Sequence, residues 1–156
     1  RDPAGALPAV ETAARLADEL LGDIRGVVSQ MRHDEGLDLG RAIEELAAPI
    51  PRPRVNLSIQ PNLRIDDVAR ARALLRAAQE ALTNAARHSQ AEQVWLTLAR
   101  RNDSIELVVR DNGRGAAQPR AGNGLTGMRE RLEDVGGGLQ FSGDDGFHLT
   151  AWVPGT

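Results

Sequence analysis

Two glycine-bearing segments in the last third of the chain constrain the fold more than any other feature. The first is residues 111–115, Asp-Asn-Gly-Arg-Gly, and the second is residues 122–127, Gly-Asn-Gly-Leu-Thr-Gly. The first follows a segment that alternates apolar and polar residues, and the second precedes a helix-like segment. Glycine lets the main chain approach a ligand closely, and a helix N-terminus offers N–H groups to an anion. The two segments therefore predict a strand, a slim loop and a helix that begins beside an anion site.

Hydrophobic patterning predicts the other elements. Alternation predicts strands that contain residues 55–59, 94–98, 105–109, 139–141 and 147–153. Helical periodicity predicts a short helix capped by Asp38, a long helix from Asp66 or Asp67 to about His88, and a third over roughly 125–134. This order predicts an α+β fold, a two-layer sandwich in which helices cover one face of a mixed, mostly antiparallel sheet.

Residues 11–32 carry a further apolar stripe at helical spacing, which needs a partner surface. Its members are Leu16, Leu20, Ile24, Val27, Val28 and Met31. The stripe leaves two arrangements open, pairing between two copies of the chain or folding back on its own domain. Because the chain begins with Arg1 rather than Met, we expect it to belong to a longer protein.

Composition excludes several classes of function. The net charge of −3 argues against nucleic acid as a partner, because such proteins need a basic face. All 19 Lys and Arg positions are Arg, which excludes the phosphate-binding lysine of a P-loop. The chain has no Cys, so thiol nucleophiles and Cys-ligated metals are excluded and a cytoplasmic location is expected. No apolar run approaches the ~20 residues of a membrane span, so we expect no membrane contact from this chain.

A polar stripe lies on the long predicted helix. Glu80, Asn84 and His88 are spaced by four residues, so they share one side of the helix. An amide oxygen such as that of Asn84 can ligate Mg²⁺, and a carboxylate such as Asp111 can accept from an exocyclic amine. Each feature also has a plain structural interpretation. The polar stripe could be a solvated helix face, residues 111–115 a tight turn, and residues 122–127 a flexible loop. Their combination favours a nucleotide site.

In this order and spacing, the three segments resemble the Bergerat (GHKL) ATP-binding fold of gyrase, heat-shock chaperones, histidine kinases and MutL proteins. Residues 79–89 resemble the N box of that family, residues 111–115 its first glycine box and residues 122–127 its second. The N box and the segment Gly-Met-Arg-Glu-Arg at 127–131 are similar to sensor histidine kinases that partner NarL-type response regulators. The resemblance covers about residues 50–154.

The resemblance implies roles for the residues of the long helix. Asn84 would ligate an Mg²⁺ ion that bridges the phosphates of ATP. Glu80 would order a water or the metal shell, and in hydrolysing relatives the matching carboxylate is a general base. Arg87 and His88 would lie near the phosphates or the ribose. Glu80 and Asn84 are thus the candidate catalytic residues.

The glycine boxes supply the other implied contacts. Asp111 would accept from the adenine amine, and Gly113 and Gly115 would let the base approach. Main-chain donors to the phosphates would come from Gly122, Gly124, Leu125 and Thr126. Residues 116–121 would form a short ATP lid. One position departs from the family pattern, because Phe147 stands where many relatives carry a threonine near the adenine.

The three histidines of the chain do not supply a clear phosphoacceptor. His88 belongs to the N box, and strand alternation directs His148 to solvent. His33 begins the sequence His-Asp-Glu-Gly, in which the glycine comes one position too early for an acceptor motif, so we interpret it as a polar turn residue. The predicted domains are residues 1–35, a remnant of the second helix of a dimerisation domain with its linker, and residues 36–156, an ATP-binding catalytic domain.

These expectations lead to one function and two alternatives. The chain is expected to bind ATP and Mg²⁺ as the catalytic domain of a two-component sensor histidine kinase, and to phosphorylate a histidine outside itself. Its partners would be the dimerisation and phosphoacceptor domain of a homodimeric parent protein and a NarL-type response regulator. The alternatives are an anti-sigma-factor-like serine kinase or partner-binding module, and a hydrolysing ATPase of the gyrase or MutL type.

Overall fold

A computed structural model describes residues 38–88, 90–113, 123–143 and 146–155, and these ranges contain three helices and five strands. The helices are α1 (Leu39–Ala47), α2 (Val68–His88) and α3 (Asn123–Asp134). The strands are β1 (Arg54–Ile59), β2 (Gln93–Arg101), β3 (Ser104–Asp111), β4 (Gly138–Ser142) and β5 (His148–Pro154). The predictions made for residues 11–32 and for His33 lie outside the described residues. Within them, no helix combines the length and the apolar character that crossing a membrane requires.

The five strands form one sheet in the order β1-β2-β3-β5-β4. Strand β1 pairs with β2 in parallel, and every other neighbouring pair is antiparallel. The parallel pair is possible because α2 carries the chain back across the sheet between β1 and β2. The sheet is therefore mixed and mostly antiparallel, which confirms the predicted fold class.

The two faces of the sheet differ in burial. On the inner face, Leu96, Leu107 and Ala151 are fully buried under the helices together with their neighbours along each strand. On the outer face, Trp95 and Trp152 are only half-buried. Strict alternation along β2, β3 and β5 produces this difference, because successive side chains point to opposite faces of a sheet.

Two of the three helix starts agree with the sequence prediction. The Asp38 carboxylate accepts from the main-chain N–H of Arg41 at 3.1 Å, as a helix N-cap does. The Asp67 carboxylate accepts from the N–H of Arg70 at the same distance, so α2 begins just after Asp67.

The third helix begins earlier than predicted. Helix α3 starts at Asn123 rather than near residue 125, so Gly124 and Thr126 belong to its first turn. Glycine weakens a helix by only about 1 kcal/mol relative to alanine. Burial of Leu125, Met128 and Leu132 on one side of α3 outweighs that cost.

The difference between the two faces can be tested with neighbouring positions of β3. Leu107→Ala should lower the free energy of unfolding by about 2–5 kcal/mol, because the inner-face side chain is fully buried. Val108→Ala, on the outer face of the same strand, should cost about 1 kcal/mol or less. Urea unfolding followed by circular dichroism measures both values. Equal losses would contradict the assignment of the helix-covered face.

Candidate functional site

Asp111 is the last residue of β3 and lies on the inner face, where it is buried. Its Oδ1 accepts from the main-chain N–H of Gly113 at 2.9 Å and of Phe147 at 3.2 Å. Its own N–H donates to the carbonyl oxygen of Phe147 at 3.0 Å. These bonds fix the carboxylate between the loop that follows β3 and the residue that precedes β5. We call Asp111, Gly113, Gly146 and Phe147 the β3-end cluster.

Gly146 makes this cluster possible. Its φ of +76° favours glycine, and it packs directly against Asp111. A Cβ atom on Gly146 would lie 2.2 Å from the carbonyl oxygen of Asp111 and 3.3 Å from Oδ1. No side chain fits there without moving the end of β3. This contact joins residues that are distant in sequence, so neighbouring residues give no signal for it.

Asn112 holds the same strand end from the other side. Its side-chain oxygen accepts from the main-chain N–H groups of Glu92 at 3.0 Å and Gln93 at 2.9 Å. Its own N–H donates to the carbonyl oxygen of Gln93 at 3.2 Å. Asn112 therefore ties the end of β3 to the start of β2. Sequence reasoning treated it as a turn residue, and the Asn-Gly pair carries no signal for these partners.

The polar stripe of α2 lies beside the buried side of the helix. Glu80 and Asn84 are half-buried, and Arg87 is exposed. His88 is the last residue of α2, and its side chain lies outside the described part of the chain. The stripe thus presents a carboxylate and an amide one turn apart, with a guanidinium near the end of the helix.

Glu80 also lies against the start of α3. A Cβ atom on Gly124 would lie 2.9 Å from Oε2 of Glu80, so the carboxylate packs against the first turn of that helix. The positive end of the helix dipole favours a negative charge at this place. Leu125 is buried there, and Thr126 is exposed. We call Glu80, Asn84, Gly124, Leu125 and Thr126 the helix-end cluster.

The structure thus brings the sequence-predicted residues together in two groups. Asp111 and Gly113 meet in the β3-end cluster, and Glu80 meets Gly124 in the helix-end cluster. Three predicted features lie outside the described residues: Gly115, Gly122 and the predicted lid at residues 116–121.

The oxygen donors of the helix-end cluster suit one kind of metal site. Glu80 and Asn84 offer a carboxylate and an amide oxygen, which are hard ligands. Within the described ranges, no group of three or more His, Cys, Asp or Glu side chains could enclose an ion. Mg²⁺ typically keeps several waters and takes only one or two protein ligands beside the phosphates of its substrate. The donors therefore fit Mg²⁺ held jointly with a nucleotide, and they do not fit an ion held by protein alone.

The close contact at Gly146 gives a testable prediction. Gly146→Ala should lower the free energy of unfolding by at least about 2 kcal/mol, because the new methyl group meets main-chain atoms of Asp111. It should also shift the amide NMR signals of Gly113 and Phe147, which donate to the displaced carboxylate. Ser142→Ala, at an exposed position of β4, is the control and should leave both unchanged. Wild-type stability of Gly146→Ala would contradict the contact.

Comparison with known proteins identifies the family of this arrangement. The family model described as histidine kinase-, DNA gyrase B-, and HSP90-like ATPase matches residues 69–156. Sensor histidine kinase LnrJ of Bacillus subtilis is 31% identical over 156 residues, which cover 97% of this chain and 39% of LnrJ. The histidine-protein kinase/phosphatase UhpB of Salmonella typhimurium is 31% identical over 141 residues, which cover 86% of this chain and 27% of UhpB. The chain therefore spans less than half of either relative.

Solved structures share the fold. The histidine kinase domain of the blue-light activated kinase EL346 from Erythrobacter litoralis superposes with a TM-score of 0.72 at 18% identity, over 92% of this chain and 75% of that one. The ATP-binding domain of PrrB from Mycobacterium tuberculosis superposes with a TM-score of 0.59 at 25% identity, over 79% of this chain and 99% of that one. Because the matching family model covers residues 69–156, more than half of the chain, the chain belongs to the histidine kinase-, DNA gyrase B- and HSP90-like ATPase family.

Proposed function

We propose that residues 36–156 form the catalytic ATP-binding domain of a two-component sensor histidine kinase, and that residues 1–35 are the end of its dimerisation domain. The observation that carries the proposal is the fixed carboxylate of Asp111. Two main-chain N–H groups donate to Oδ1 and fix the orientation of the carboxylate at the end of β3. A carboxylate fixed in this way accepts from the exocyclic amine of adenine and disfavours guanine, which presents a carbonyl oxygen at the equivalent position.

The phosphates of ATP would bind at the helix-end cluster. The first turn of α3 contains Gly124, Leu125 and Thr126, whose main-chain N–H groups would donate to the phosphates, and the missing side chain of Gly124 leaves room for the Glu80 carboxylate beside that turn. Gly122 would add a donor just before the helix, and Gly113 and Gly115 would leave room for the base. Arg87 and His88 are the last two residues of α2 and would bind phosphate or ribose.

Glu80 and Asn84 would hold Mg²⁺, which neutralises charge on the transferring phosphoryl group when bound. Asn84 would act as a ligand through its side-chain oxygen, and Glu80 would order a water or the metal shell. Catalysis here would consist of positioning the phosphates and offsetting their charge rather than of attack by a protein nucleophile. Phosphoryl transfer is then directed to a histidine on the dimerisation and phosphoacceptor domain of the parent protein.

The proposed partners follow from this chemistry. The phosphohistidine would serve a NarL-type response regulator, and the parent protein would be a cytoplasm-facing homodimer. Neither nucleic acid nor membrane is a proposed partner of this chain. The relatives named above are histidine kinases, so they favour this function over the anti-sigma-factor-like serine kinase.

Removing the amide at position 84 tests the nucleotide site. Asn84→Ala should weaken Mg²⁺-dependent ATP binding at least tenfold in isothermal titration calorimetry, because the metal loses its proposed protein ligand. Asn56→Ala is the matched control. Asn56 lies in β1, and its side-chain amide donates to Gln93 and Val94 on the outer face of the sheet, so it is not a proposed ligand of the nucleotide or the metal. ATP affinity that is unchanged in Asn84→Ala would reject this metal ligand.

The acceptor of the phosphoryl group needs a separate experiment. This chain is mixed with the acceptor helices of its parent protein and ATP labelled at the γ-phosphate. We expect label on the acceptor helices that is stable in alkali and lost in acid, as phosphohistidine is. Acid-stable label would instead indicate phosphoserine and support the alternative. The Asn84→Ala chain serves as the control and should transfer little or no label.

A further inference from the structure

Phe147, which bonds to Asp111 through its main chain, belongs to an aromatic pair. The rings of Phe141 and Phe147 stack with centroids 6.5 Å apart and an interplanar angle of 25°. The guanidinium of Arg129, from α3, lies 5.4 Å from the centroid of the Phe141 ring. One of its nitrogens, Nη2, donates to the carbonyl oxygen of Leu139 at 3.3 Å. The two rings are therefore supported from α3 and from β4.

Strand register fixes the Phe147 ring beside the carboxylate. Val109 pairs with Leu149 and Arg110 with His148, so one further step places Asp111 opposite Phe147. Both residues have the alternation of the inner face, which is the face that the helices cover. Directly opposed side chains have Cβ atoms about 4.5–5.5 Å apart. The main-chain N–H and carbonyl oxygen of Phe147 both bond to Asp111, so the backbone that carries the ring is held beside the carboxylate.

Phe147 cannot form the hydrogen bonds of a threonine, the residue that the family resemblance leads us to expect at this position. A phenyl ring gives and takes no conventional hydrogen bond, and it offers a flat apolar surface. Phe147 is half-buried, with Phe141 stacked on it, so part of its surface remains exposed beside a carboxylate. A planar heterocycle whose amine reaches Asp111 lies within van der Waals reach of that ring. Contact between aromatic surfaces is favourable by about 0.5–1.5 kcal/mol beyond simple burial.

We propose that Phe147 is a specificity-determining residue that contacts the base of the bound nucleotide. Its ring supplies an apolar wall to the adenine in place of a hydroxyl group. Phe141 and Arg129 are positioning residues, because they hold that ring without reaching Asp111. The inference rests on the proposed ATP site. It adds that base recognition here combines one carboxylate with aromatic contact.

Two features of the composition make a direct test possible. The chain has only two Phe and no Tyr, so selective ¹³C labelling of phenylalanine gives two ring systems in an NMR spectrum. Phe147→Leu assigns them. Titration with Mg²⁺ and ATP should shift the Phe147 ring signals and give contacts to the adenine protons. Inorganic tripolyphosphate, which has no base, should leave those signals in place. ATP binding with unmoved Phe147 signals would overturn the inference.

The affinity of substituted chains gives an independent readout. Phe147→Leu should weaken ATP binding about three- to tenfold, because it keeps an apolar side chain and loses the flat ring. Trp95→Leu is the matched control. Trp95 is likewise a half-buried aromatic residue of the sheet, but it lies on the outer face, where the Arg110 guanidinium is 5.3 Å from its ring centroid. The Trp95→Leu substitution should leave ATP affinity unchanged, and urea unfolding checks that both variants are folded.

The outcomes separate this inference from the function on which it rests. A wild-type chain that binds no ATP overturns both. A wild-type chain that binds ATP, together with unchanged affinity in Phe147→Leu, overturns only the role of Phe147. Equal losses in Phe147→Leu and Trp95→Leu would also overturn it, because they would show a general effect of sheet packing.

Discussion

Asp111 is buried at the end of β3, and main-chain N–H groups from two separate segments hold its carboxylate in place. Hydrogen bonds to a charged group contribute about 1.5–3 kcal/mol each, and they offset the cost of taking a carboxylate out of water. The bonds also couple the loop after β3 to the start of β5. Gly146 is the structural requirement for this coupling, since any side chain there would meet Asp111. The group proposed to recognise the base is thus ordered before a ligand arrives.

The helix-end cluster depends on a different constraint, the close packing of α2. Alanines occupy much of the buried side of this helix, at positions 71, 73, 77, 78, 81 and 85. Small side chains let a helix approach its neighbours closely, and α2 packs against both α3 and the sheet. Glu80 is consequently held against Gly124, where a single added methyl group would meet its carboxylate. The amphipathic pattern that buries α2 also orients its polar stripe.

The fold was largely predictable because its elements have regular periods. Alternation in β2, β3 and β5 and the caps at Asp38 and Asp67 are local signals, and the structure confirms the elements they indicate. The contacts that define the site were harder to predict from the sequence. Asn112 reaches back to β2, and Phe147 bonds to a residue 36 positions earlier, so neither partner is encoded by neighbouring residues. The roles of Glu80 and the second glycine segment came from resemblance, and they remain proposals.

The start of α3 shows why local reasoning failed at one boundary. Gly124 was predicted to lie in the loop before the helix, yet it lies within the first turn. Burial of Leu125 and Met128 decides the outcome, and a single sequence does not show which surface will cover them. The difference bears on the proposed function, because it moves one proposed phosphate donor, Gly124, from a loop into the first helical turn.

The tryptophans and the phenylalanines of the protein lie on opposite faces of the sheet. The only two tryptophans of the chain, Trp95 and Trp152, lie on the outer face, and both phenylalanines lie on the face that the helices cover. Indole emission therefore reports melting of the sheet from the side opposite the proposed nucleotide. In the same sample, tryptophan fluorescence would follow unfolding and titration calorimetry would follow nucleotide binding.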